Sequence, residues 1–80
     1  MTITVYTQPD CRGCAATKRW LVKRGQPFVE LSARLHIEWL RAHGYTSAPV
    51  VTVTDAQGKV VDSWAGYQPA RLKQAVLAAC

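Results

Sequence analysis

No run in these 80 residues approaches the roughly 20 apolar positions needed to cross a bilayer, which sets aside an integral membrane role. The start, Met1-Thr2-Ile3-Thr4-Val5-Tyr6, has no basic region, long apolar core or small-residue cleavage site. No secretory signal is read, and a cytoplasmic location is expected. Cysteine is scarce and odd in number. Three thiols cannot all pair within one chain, which argues against a secreted disulfide framework and for catalytic or metal-binding thiols. Acidic side chains are also few, five against ten Lys and Arg, for a net charge of +5. That excess would favour phosphate, but Lys18, Arg19, Lys23 and Arg24 fall in one predicted helix and the other bases are scattered without interleaved aromatics. No nucleic-acid partner is expected; a charge-steered acidic protein fits the same balance.

What is present is apolar: 49% of a chain that shows no repeat, linker or low-complexity stretch. This predicts one ordered domain over residues 1–80, with a limited core and no room for a second. Thr2 to Thr7 alternates Ile3 and Val5 with Thr4 and Tyr6 as a first strand, stopped by Gln8-Pro9. A helix is predicted from about Cys11 to Arg24, with Asp10 as N-cap and Gly25 as stop. Phe28 to Leu31 reads as a second, buried strand. Ser32 is expected to cap a second helix, in which Leu35, Trp39 and Leu40 form the apolar stripe and Gly44 the end. Val50 to Thr54 and Val60 to Trp64 make a hairpin across Asp55-Ala56-Gln57-Gly58, and Ala70 to Ala79 carries Leu72, Val76 and Leu77 at helical spacing. The order βαβαββα requires parallel first strands joined by a right-handed crossover, a hairpin at one side and helices on both faces. The fold class is therefore α/β, thioredoxin-like, a four-stranded mixed sheet flanked by three helices.

Cys11-Arg12-Gly13-Cys14 is a C-x-x-C between a strand and a helix start, where the motif reads as redox active. Unpaired helix N–H groups and the positive end of the macrodipole would favour a thiolate at Cys11. Arg12 adds to that tendency, Asp10 opposes it, and Gly13 leaves the approach open. Cys11 would attack a target disulfide and Cys14 would resolve the mixed disulfide. The competing reading is a zinc or iron–sulfur module completed by Cys80, His36 or His43. A zinc site would want a second close ligand pair, and the two histidines, seven apart on an amphipathic helix, read as surface residues. No metal is expected. Cys80 reads as an incidental thiol at a frayed end, and Trp20 and Trp39 as packing residues. At Ala48-Pro49 the residues alone leave the bond trans, the common form.

Thr4-Val5-Tyr6-Thr7, Pro9, the cysteine pair followed by Ala16-Thr17-Lys18, Gly44-Tyr45, Ala48-Pro49-Val50 and Trp64-Ala65-Gly66-Tyr67-Gln68-Pro69 together resemble the NrdH-redoxins, along almost the whole chain. The resemblance implies a glutaredoxin-like sequence with thioredoxin-like behaviour. Electrons from NADPH would arrive through thioredoxin reductase and pass to the large subunit of class Ib ribonucleotide reductase, with no bound cofactor and a monomeric carrier. It further implies a cis Ala48-Pro49 bond beside the cysteines and a segment Trp64 to Pro69 equivalent to the family's W-S-G-F-R-P. Arg12, Gly13, Ala48, Pro49, Trp64, Gly66 and Tyr67 would then meet the partner, although for Trp64 simple core packing is nearly as good an account. Glutathione-using glutaredoxins carry a tyrosine within the C-x-x-C, a basic residue near position 8 and a Gly-Gly pair after the fourth strand. Gly13, Gln8 and Gly66-Tyr67 stand there instead, which makes a glutathione-dependent glutaredoxin the alternative. Three features depart from the family pattern: Arg12-Gly13 replaces an apolar-Gln dipeptide, Gln68 replaces Arg, and Ser32-Ala33-Arg34 replaces an acidic helix start. The last removes negative charge near the expected docking face, with consequences for partner choice.

Overall fold

The computed structural model describes residues 1–79; Cys80 and the reading of it as a frayed thiol lie outside them. Strand β1 (Thr2–Thr7) leads to helix α1 (Arg12–Lys23), strand β2 (Val29–Ser32), a 3₁₀ turn (Arg34–His36) and helix α2 (Ile37–Ala42). Strands β3 (Val50–Thr54) and β4 (Val60–Ala65) and helix α3 (Pro69–Ala79) follow. The sheet order is β2-β1-β3-β4, with β1 parallel to β2 and antiparallel to β3, and β4 antiparallel to β3. The expected βαβαββα order is therefore present, with the hairpin beside β1. Among the described residues no helix is long and apolar enough to cross a membrane.

Alternation along the strands divides the interior. Ile3 and Val5 of β1, Val51 and Val53 of β3 and Trp64 of β4 pack with Leu21 of α1 and with Leu72 and Ala75 of α3. On the opposite face Tyr6 stacks on Trp39 of α2, ring centroids 5.7 Å apart. Burial pushes the Tyr6 hydroxyl above its ordinary pKa, because the phenolate would lose water. Each fully buried Val, Leu or Ile in such a core contributes about 1.5–3 kcal/mol of transfer free energy. In the hairpin turn Asp55 Oδ1 accepts from the backbone N–H of Gln57 and of Lys59, both at 2.9 Å. This is the local bonding that makes aspartate a turn residue. Arg71 fastens α3 to β4 by donating to Asp62 Oδ1 at 2.7 Å and to the Ser63 carbonyl at 3.2 Å.

Several local expectations are corrected. β2 begins at Val29 rather than Phe28 and is an edge strand that is mostly exposed; Phe28 itself packs partly buried against the core. Ser32 does not cap a helix. It is the last residue of β2, paired with Thr7, and the Ala33 N–H continues the ladder to the Thr7 carbonyl at 2.8 Å. The chain then makes a 3₁₀ turn before α2, so Leu35 falls outside the α-helical stripe and is 81% exposed, whereas Leu40 is buried. Leu77, expected on the inner stripe of α3, is exposed as well; Leu72 and Ala75 hold that face. Asp10 is not the cap of α1. It lies at φ 55°, a left-handed conformation tolerated by aspartate, and hands the cap position to Cys11.

Candidate functional site

Cys11 stands at the junction of β1 and α1 because Pro9 ends the strand and Asp10 turns the chain. Its extended backbone makes it the N-cap of α1, and its Sγ accepts from the Cys14 N–H at 3.1 Å. Cys14, one turn on, faces inward and is only 2% exposed, while Cys11 is half-buried. The two are joined as a disulfide with a Cα–Cα separation of 5.2 Å. Below them Thr17 is buried, and its hydroxyl donates to the Gly13 carbonyl at 2.8 Å, which ties the first turn of the helix together. A sulfur at the cap of a helix can replace the side-chain oxygen that usually accepts there, and it sits where negative charge is favoured.

The Ala48-Pro49 bond is cis, as the family resemblance implied. Pro49 is buried against the helix start: a Cβ added to Gly13 would come within 3.0 Å of Pro49 Cδ and 3.9 Å of Tyr67 Cβ. The Pro49 carbonyl accepts from the Gly66 N–H at 2.8 Å. Gly66 holds φ 85°, a backbone that side chains rarely permit. Gly13, Pro49, Gly66 and Tyr67 thus form one neighbourhood beside the disulfide. Arg12 is exposed at the first position of α1 and belongs to neither ion pair found among the described residues. Trp64 is placed elsewhere: it is 3% exposed, part of the core cluster, with the Arg71 guanidinium 5.2 Å from its ring. It is a packing residue and offers a partner no surface.

Among the described residues no group of three His, Cys, Asp or Glu side chains gathers. Of the two histidines read as surface residues, His43 is exposed and His36 is half-buried. His36 meets the Tyr6 ring edge-on at 5.5 Å and His43 stacks on Trp39 at 4.0 Å. Sequence reasoning missed one feature, a cleft of about 530 Å³ running from Gln8 and Pro9 to Ala48 along α2. Its walls come from residues around the 3₁₀ turn and the loop before β3, elements whose placement no periodicity signals.

No family model matches the chain. Over 72 residues it is 39% identical to the glutaredoxin-like protein NrdH of Escherichia coli K12, a stretch covering 86% of this chain and 82% of that protein. The chain belongs to the NrdH-redoxin family. Its counterpart in Salmonella typhimurium is 38% identical over the same share of both chains. Among solved structures, the E. coli NrdH-redoxin, described as glutaredoxin-like with a thioredoxin-like activity profile, superposes with a TM-score of 0.80 at 36% identity. It covers 92% of this chain and 93% of its own. A thioredoxin from Plasmodium falciparum gives a TM-score of 0.74 at 19% identity over 99% of this chain and 85% of its own, a likeness of fold. The chain is thus a thiol–disulfide redox protein of thioredoxin-like α/β fold, a NrdH-redoxin with Cys11 and Cys14 as its C-x-x-C pair.

Proposed function

We propose that this NrdH-redoxin carries electrons in the cytoplasm from NADPH, through thioredoxin reductase, to the large subunit of class Ib ribonucleotide reductase. It would act as a monomeric carrier without a bound cofactor. The observation that carries the reading is the asymmetric pair: a reachable Cys11 sulfur at the cap of α1 and a buried Cys14 sulfur behind it. In the reduced protein the Cys11 thiolate, favoured by the helix start, attacks one sulfur of the partner's disulfide. A mixed disulfide forms and one partner thiolate leaves, taking a proton from water. Cys14 then gives up its proton and attacks Cys11 Sγ; the Cys11–Cys14 bond closes and the second partner thiolate is released. Two electrons have passed to the partner, and the reductase returns them from NADPH. Gly13, Ala48, Pro49, Gly66 and Tyr67 would receive the partner's backbone around the mixed disulfide, with Arg12 at the rim.

The test is NADPH oxidation coupled to reduction of a disulfide substrate, with either thioredoxin reductase or glutathione plus glutathione reductase. Turnover with thioredoxin reductase alone is expected, followed by support of ribonucleotide reduction in a reconstituted class Ib system. Turnover with glutathione alone would move the chain to glutathione-dependent function.

A further inference from the structure

The cleft beside α2 is built for a charge that the site chemistry leaves unused. Its lining combines apolar Pro9, Ile37 and Leu40 with polar residues such as Tyr45 and Thr46, and it includes Ala48, next to the proline that packs on Gly13. Arg34, in the 3₁₀ turn, and Arg41, near the end of α2, line it, and no acidic residue does. Both guanidinium groups are exposed. The ion pairs among the described residues join Lys18 to Glu30 and Arg71 to Asp62, so neither cleft arginine has a carboxylate partner. Glu38, between them in sequence, is not on the wall, and Asp10, next to Cys11, is not either. Two uncommitted guanidinium groups in a partly apolar cleft that reaches the residue before Pro49 match an extended chain that carries carboxylates beside its own cysteines.

Resting on the redox reading above, we infer that Arg34 and Arg41 select protein partners whose reducible disulfide is flanked by an acidic segment, which lies in the α2 cleft while the mixed disulfide forms. The attraction raises the rate of encounter and fixes the direction in which the segment lies. Because both arginines face water, salt screens the effect.

The experiment uses the full chain, reduced with dithiothreitol and freed of it. It is mixed, separately, with oxidised glutathione and with three oxidised peptides of one scaffold, each closing a single disulfide flanked by Glu, by Gln or by Lys. Reduced peptide is measured after acid quench. In low salt the Glu peptide is expected to react about tenfold faster than the Gln peptide, and the Lys peptide more slowly than either. The Glu-to-Gln ratio should fall towards one in 0.5 M salt and in Arg34→Gln/Arg41→Gln. It should persist in Arg34→Lys/Arg41→Lys and in Arg19→Gln/Lys23→Gln, which removes equal charge from α1. A ratio near one in the unaltered protein, or a ratio that falls equally in the α1 variant, overturns the inference. So does Arg34/Arg41-dependent preference for oxidised glutathione over all three peptides, which would make the cleft a tripeptide site. If no peptide is reduced at all, the redox reading itself fails.

Discussion

Cys11 and Cys14 differ in surroundings more than in chemistry, and the proposed tasks of attack and resolution rest on that difference. With Cys11 half-exposed at the helix cap and Cys14 buried, Cys11→Ser is expected to abolish disulfide reduction, because the remaining thiol of the C-x-x-C is shielded from a partner. Cys14→Ser should instead accumulate mixed disulfides, which non-reducing gels and intact mass would show. The same gel tests the thiolate at Cys11, since alkylation of the reduced protein at neutral pH should label Cys11 well before Cys14. Gly13 is held to glycine by Pro49, not by its backbone angles. A Cβ 3.0 Å from Pro49 Cδ meets a ring with no rotamer to yield. Gly13→Ala is expected to lose about 1–2 kcal/mol, as small overpacking does. That is a fall of roughly 5–15 °C in Tm for a domain of this size, readable by thermal denaturation.

The elements differ in how far local pattern decides them. β1, β3 and β4 lie where their β-branched runs and the Asp55-to-Gly58 turn place them, because such runs bounded by turn residues favour strand whatever the rest of the fold does. The region from Ser32 to His36 does not follow its propensities: the backbone of Ser32 and Ala33 is held by Thr7 of β1, and that pairing lies about 25 residues away in sequence. A stripe counted at helical period through a 3₁₀ turn then puts Leu35 on the wrong side. Leu35→Gln should therefore change stability by less than about 0.5 kcal/mol. Leu40→Ala, in contrast, should lose about 2–5 kcal/mol by leaving a cavity under α2. Urea denaturation of the two variants separates the readings.

β2 is tied to α1 by one polar cluster, in which Glu30 accepts from Lys18 Nζ at 3.0 Å and from the Thr7 hydroxyl at 2.9 Å. The hydrogen bond from Lys18, then that from Thr7, holds the Glu30 carboxyl below its usual pKa, against a small opposing effect of burial. A carboxyl lowered on folding lends stability above its unfolded pKa and withdraws it as pH falls through the folded value. The pair is well exposed, so the effect is that of a surface ion pair, about 0.2–1 kcal/mol at most. Lys18→Met should flatten the acid limb of the stability curve below about pH 4.5, measured by denaturant midpoint against pH.

At the scale of the molecule, a single apolar cluster joins all of β1, β3, β4, α1 and α3, and Trp64 lies within it. Removing so large a side chain from a small domain is severe: Trp64→Ala should lose about 3–5 kcal/mol, a large part of the 5–15 kcal/mol typical of a whole domain. Trp64→Phe should keep the fold and, since the ring is buried in the core, keep the rate of disulfide exchange; circular dichroism and the coupled assay would show both. The C-x-x-C and the strand–helix order could be read from the chain because each depends on neighbours in sequence. The family resemblance supplied the cis proline. The cleft could not be read, because Pro9, Leu40 and Ala48 are brought together only by packing.

The burial of Cys14 also bears on survival under oxidative stress. Peroxide reaching Cys11 turns its thiolate into a sulfenic acid, and the neighbouring Cys14 thiol condenses with it, expelling water and closing the ordinary disulfide. The damaging route to sulfinic acid needs a second peroxide before that closure. A shielded neighbour one helical turn away turns the oxidised protein into a disulfide, a state that thiol–disulfide exchange can reverse.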